Sequence, residues 1–151
     1  MDYEKRAQEW VDRALKEEKD DFVKFILFFI SFEVYVKLKN YRTIREIKGD
    51  DVVKEFFFST VDKDKLLLLK QKLDNKPIEN MKPNGDHSWG GILKTEEDFD
   101  GIIEFIIRAR NNLFHGDKGL DDERDKFIVT QGNFVLQYLV KALKNEATQQ
   151  F

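Results

Sequence analysis

The segment Arg108-Ala109-Arg110-Asn111-Asn112-Leu113-Phe114-His115-Gly116 concentrates the side chains of this sequence that could do chemistry. An imidazole with an ordinary pKa of about 6.5 takes or gives a proton near neutral pH. A guanidinium stays cationic and offers a planar fork of donors to phosphate or carboxylate oxygens. Asn111 has no acid-base capacity, but its amide can hold a side chain or an anion in place. Arg110 and His115 are five positions apart, about 140° round an ideal helix, so they meet only if the helix ends there or a second copy contributes. Little else in the chain competes for a chemical role. The absence of cysteine excludes disulfides, thiol nucleophiles and thiolate metal sites. With His87 and His115 as the two histidines, and Ser31, Ser59 and Ser88 as the serines, a metal cage or a serine triad lacks material. No metal and no cofactor is expected.

Arg110 shares a helix face with Phe99, Ile103, Ile106 and Ile107, and an unpaired guanidinium on an apolar stripe is costly. Glu33, inside the most apolar stretch of the chain, is expected to need a partner too, so a pair with Arg110 or Arg108 across the fold is one reading and a catalytic role for Glu33 another. His115 before Gly116 could simply cap helix carbonyls. Asp117 could orient the imidazole or be an exposed loop acid. Lys37, Lys39, Arg42, Arg45 and Lys48, opposed only by Glu46 and interleaved with Tyr35 and Tyr41, form a basic stretch. It reads either as a track for RNA, with Tyr41 stacking on unpaired bases, or as a solvated helix face. His87-Ser88-Trp89-Gly90-Gly91 is a candidate substrate-contact loop, with Trp89 anchoring it.

Helices must position these groups. Tyr3, Ala7, Trp10, Val11, Ala14 and Leu15 recur at steps of three and four, which predicts an amphipathic first helix. The stretch from Phe22 to Leu38 is apolar almost all round, as for the central member of a bundle, and is expected to run on to about Lys48. Short helices are expected at Asp50 to Phe58 and Val61 to Leu73, a loop at 75–94 and a capping box at Thr95-Glu96-Glu97-Asp98. The helix it opens should stop near His115, before one long final helix from Leu120 to Asn145 mildly interrupted by Gly132. The fold class is therefore all-α, an antiparallel bundle of four long helices with one or two short ones, in a single domain over residues 1–151. Lys24, Glu33 and Lys37 interrupt Phe22 to Leu38 too often for a membrane span, and the charged start Met1 to Arg6 does not read as a secretory signal, so the expected location is the cytoplasm. The net charge of -3 excludes a polycation that coats nucleic acid, so any such contact is a local patch.

Arg110-Asn111 followed by three residues and His115 resembles the signature of the HEPN superfamily of small helical bundles, especially its Apea-like and stand-alone branches. The apolar helix from Phe22 to Leu38 and the restart at Asp121-Asp122-Glu123-Arg124-Asp125 extend the likeness. The resemblance implies a metal-independent endoribonuclease acting as a homodimer whose facing helices bring two Arg110 and two His115 into one cleft. It also implies a toxin or defence effector with a possible antitoxin or defence-system partner, or else a non-catalytic module that binds RNA or nucleotide or dimerises. In a branch controlled by a nucleotidyltransferase antitoxin a modified Tyr follows the His by two positions; Asp117 stands here, which removes that route of regulation.

Overall fold

Most helices of this chain begin where a short acidic side chain can take the N–H groups that a first turn leaves unpaired. Asp2 caps α1 (Tyr3–Lys16), Asp20 caps α2 (Asp21–Leu38), Asp50 caps α3 (Asp51–Thr60) and Asp62 caps α4 (Lys63–Asn75). Asp98 does the same for α5 (Phe99–Leu113), accepting from the Gly101 N–H at 2.9 Å. The expected capping box is thus resolved one turn later: Thr95 accepts from the Glu97 N–H in the turn before, and the aspartate at its end is the cap. A 3-10 helix at Ile44–Gly49 and α6 (Glu123–Gln149) complete the elements. The computed structural model describes residues 2–17, 19–79, 88–113 and 123–149, and among them there is no strand. The fold is an all-α helical bundle.

Two expectations are corrected by the packing. The second helix does not continue to Lys48 but stops at Leu38, because Asn40 turns left-handed at φ 65°. The Asn40 N–H then donates to Lys37 O at 2.9 Å and the Tyr41 N–H to Val36 O at 3.3 Å, which satisfies the last carbonyls of α2 and reverses the chain. Nor is α2 the enclosed helix. It buries Phe25, Phe28, Phe29, Phe32, Tyr35 and Val36 on one face, while Val23 and Leu38 stay exposed on the other. The helix buried nearly all round is α5, whose core includes Glu104, Arg108 and Asn112 besides its isoleucines.

Ala7 and Ala14, both fully buried, let α1 approach α2, where Ser31 Oγ donates to Ala7 O at 2.9 Å. Asn133 Nδ2 donates to Asp21 O at 3.0 Å, and Lys144 Nζ donates to Gln8 Oε1 farther along. These contacts set α2 and α6 side by side in the same sense, with α1 opposed to both. At the other end of the core the Phe57 and Phe58 rings of α3 meet Phe99 of α5 at 5.9 and 6.0 Å. No helix among the described residues is long and apolar enough to cross a membrane.

Candidate functional site

Arg110 lies near the C-terminal end of α5, half-buried, with its guanidinium carbon 5.4 Å from the centre of the Phe29 ring of α2. Its Nη1 donates to Asn111 Oδ1 at 3.4 Å. The expected pair with Glu33 is not made: among the described residues no ion pair joins Glu33 to Arg110 or to Arg108. The guanidinium instead stops at Phe29, one helical turn before Glu33, where an aromatic face offers a cation favourable electrostatics without a desolvated carboxylate. His115 and Asp117, like His87, lie outside the described residues.

Arg108 serves a different purpose on the opposite side of α5. It is 4% exposed, and it donates through Nη1 to Ile78 O at 2.9 Å and through Nη2 to Trp89 O at 2.5 Å, with its guanidinium 4.8 Å from the Trp89 ring centre. Four residues on, and therefore on the same face, Asn112 Nδ2 donates to Glu79 O at 2.8 Å. The two side chains fasten the connection between α4 and α5 from both of its arms. Those arms are joined to each other by the Ile78 N–H donating to Gly91 O at 3.1 Å. Gly91 has a φ of 80°, and a Cβ there would sit 2.4 Å from Ile78 O, so only glycine closes this neck without a clash. The anchoring role expected of Trp89 is met through Arg108, which composition alone presents as one more surface cation.

The basic stretch is spread over the end of α2, the turn after it and the 3-10 helix rather than along one helix face. Lys39 Nζ lies 2.7 Å from Asp50 Oδ2, to which the Tyr41 hydroxyl also donates at 2.5 Å. Arg45 Nε and Lys48 Nζ converge on Glu104 Oε1 at 2.6 and 2.9 Å. Burial pushes the Glu104 carboxyl up, but the hydrogen bonds from Arg45 and Lys48 outweigh it and hold it below the ordinary value. Asp50 behaves alike: burial raises it, and bonds from Lys39, Tyr41 and the Val53 N–H bring it down. The Tyr41 hydroxyl is pushed up to about 12 by burial and by its bond to Asp50. Lys37 and Arg42 are exposed, with no side-chain carboxylate partner among the described residues.

Glu104 and Asn111 are seven positions apart and lie on nearly the same side of α5, about 10 Å apart along its axis. The Arg45 and Lys48 pair and the Arg110 and Asn111 pair therefore occupy successive levels of one helix. Between the lower level and the loop neck is a cleft of about 240 Å³ whose walls include Arg45, Lys48, Trp89 and Lys94, with Asp98, Asp100 and Glu104 balancing their charge. The residues that sequence reasoning missed are Phe29 and Glu104. Both are named by what they hold, and neither type carries a signal of its own when its partner is remote in sequence. Comparison of the chain with protein-family models, with curated proteins and with solved structures gives no match.

Proposed function

We propose that this chain is a metal-independent endoribonuclease of HEPN type that cleaves single-stranded RNA. The observation that carries the reading is the state of Arg110: a half-buried guanidinium held by a ring and by Asn111, and by no carboxylate among the described residues. Such a cation keeps its charge for a phosphate. In the reaction the RNA 2′-hydroxyl attacks the adjacent phosphorus, losing its proton to His115 as general base, and the P–O5′ bond breaks as the leaving 5′-oxygen takes up a proton. The products are a 2′,3′-cyclic phosphate and a 5′-hydroxyl. Arg110 stabilises the charge that accumulates on the phosphate oxygens. Asn111, whose Oδ1 already accepts from Arg110, has its amide N–H groups left to donate to one of them. Asp117 is the acid nearest in sequence for orienting the imidazole.

The second copy that this chemistry calls for would join along α2 in this reading. Val23, Leu27, Ile30, Val34 and Leu38 repeat at steps of three and four along α2, Val23 and Leu38 exposed and the other three half-buried, with Leu27 and Val34 partly packed against the core. A homodimer joined there is the arrangement that this reading calls for. The biological setting in this reading is a toxin or defence effector in the cytoplasm, with an antitoxin or defence-system protein as its control.

Purified protein incubated with single-stranded RNA in EDTA tests the reading. Cutting to cyclic-phosphate ends is expected, with a loss of about 100-fold or more in His115→Ala at unchanged helical content. Undiminished cutting by that variant sinks the assignment, and RNA binding by an intact dimer that never cuts selects the non-catalytic module instead.

A further inference from the structure

We infer that Phe29 is the positioning residue for Arg110, holding the guanidinium over its ring so that its donors stay available to a phosphodiester; the inference rests on the ribonuclease reading above. Two ways of stabilising a half-buried arginine exist, and they differ in what they leave behind. A carboxylate takes the N–H fork itself and neutralises the charge. An aromatic ring takes only the flat face of the guanidinium, leaving the N–H groups in the perimeter unspent and the charge intact. At Arg110 the ring is the partner, 5.4 Å from the guanidinium carbon, while Glu33 one turn further along α2 makes no ion pair with it.

The ring is also unable to turn away. Phe29 is 4% exposed and is wedged between Phe25, stacked at 6.0 Å and 29°, and Phe32, edge-on at 6.0 Å and 70°. Phe25 is in turn backed by α6 at Gly132, where a Cβ would come within 2.6 Å of its ring. A ladder of three phenylalanines braced on α6 therefore fixes the ring over which the Arg110 guanidinium lies. The guanidinium itself is tied by the hydrogen bond from Nη1 to Asn111 Oδ1. Ring and amide together pre-orient the donors before RNA arrives, which lowers the ordering cost of binding.

The test uses the whole protein and a 2′-O-methyl RNA oligonucleotide, which lacks the attacking hydroxyl and is bound without being cut. Binding is read by fluorescence anisotropy in EDTA for Phe29→Leu, Phe29→Met, Phe29→Tyr and Arg110→Ala, and for Phe29→Leu combined with Arg110→Ala. Removing the ring is expected to weaken binding by about fivefold to tenfold in the leucine and methionine variants, and tyrosine is expected to restore it to within about twofold. In the Arg110→Ala background the leucine change is expected to add nothing, because its effect passes through Arg110. The methionine variant preserves side-chain volume and keeps the comparison open if leucine impairs folding. Leucine or methionine binding as tightly as tyrosine, or a leucine effect that multiplies with that of Arg110→Ala, overturns the inference alone. Wild-type protein that neither binds this oligonucleotide nor cuts unmodified RNA overturns the ribonuclease reading and the inference with it.

Discussion

Arg110 and Glu104 are two charges on one helix that solve the same problem in opposite ways. Arg110 keeps its charge against a ring, and the cost of that choice is offset by partial exposure. Its fork should matter beyond its charge: Arg110→Ala is expected to lower RNA cutting by about 100-fold, and Arg110→Lys, cationic but without bidentate geometry, is expected to fall between the two in initial-rate measurements. Glu104, 7% exposed, is charged because Arg45 and Lys48 both donate to it. Its ordinary value is 4.5 and its value in the fold is lower, so the folded state holds the proton less tightly than the unfolded chain. The stability it contributes is therefore complete above the ordinary value and is lost as pH falls through the lower, folded one. Melting temperatures taken from about pH 6 to about pH 3 should drop along this acid limb. Glu104→Gln should flatten part of the drop, starting from a protein less stable by about 2 kcal/mol because the two cations lose their counter-charge.

Helices in this chain are legible at their starts and deceptive in their roles. The aspartates at 2, 20, 50, 62 and 98 mark the starts because capping is a local interaction, written within three residues. The end of α2 was missed because an asparagine, not a glycine, takes the left-handed position, and Asn40 carries that signal weakly. The burial of α5 nearly all round was hidden for a different reason. Hydrophobic periodicity assumes that buried means apolar, whereas Glu104, Arg108 and Asn112 are buried on partners 19 to 59 residues away. The candidate site was half legible: the Arg110, Asn111 and His115 spacing proposes it, but the ring that holds Arg110 is one phenylalanine among 14. Gly132 shows how far propensity misleads in the same way. Alanine in a helix interior is favoured over glycine by about 1 kcal/mol, yet here its methyl would meet the fully buried ring of Phe25. Overpacking at about 1–3 kcal/mol is the larger effect, so Gly132→Ala is expected to lower the denaturation midpoint with the slope unchanged. A midpoint that rises would mean that Phe25 gives way, and with it the brace behind Phe29.

On the scale of the whole molecule, charge and apolar surface point to different partners. The chain is net acidic at -3, and much of its one basic stretch is already committed to Asp50 and Glu104. Few cations of that stretch remain to neutralise phosphates, so RNA affinity for it is expected to fall only gently with salt, in proportion to the small number of counterions released. The unspent resource is the outer stripe of α2. Burying it against itself in a second copy removes apolar area from water over about four helical turns. Ile30 is at the middle of that stripe and half-buried in the single chain, so a carboxylate there can stay hydrated in a monomer but would be desolvated and face its own like charge in a symmetric dimer. Ile30→Glu is therefore expected to sediment as a monomer at concentrations where the parent protein is a dimer, with the same helical circular dichroism. If the active cleft is shared between copies, cutting should fall with the dimer fraction and recover as protein concentration rises. A monomeric Ile30→Glu that cuts at the parental rate would show that one chain suffices, while one that stays dimeric would move the interface away from α2.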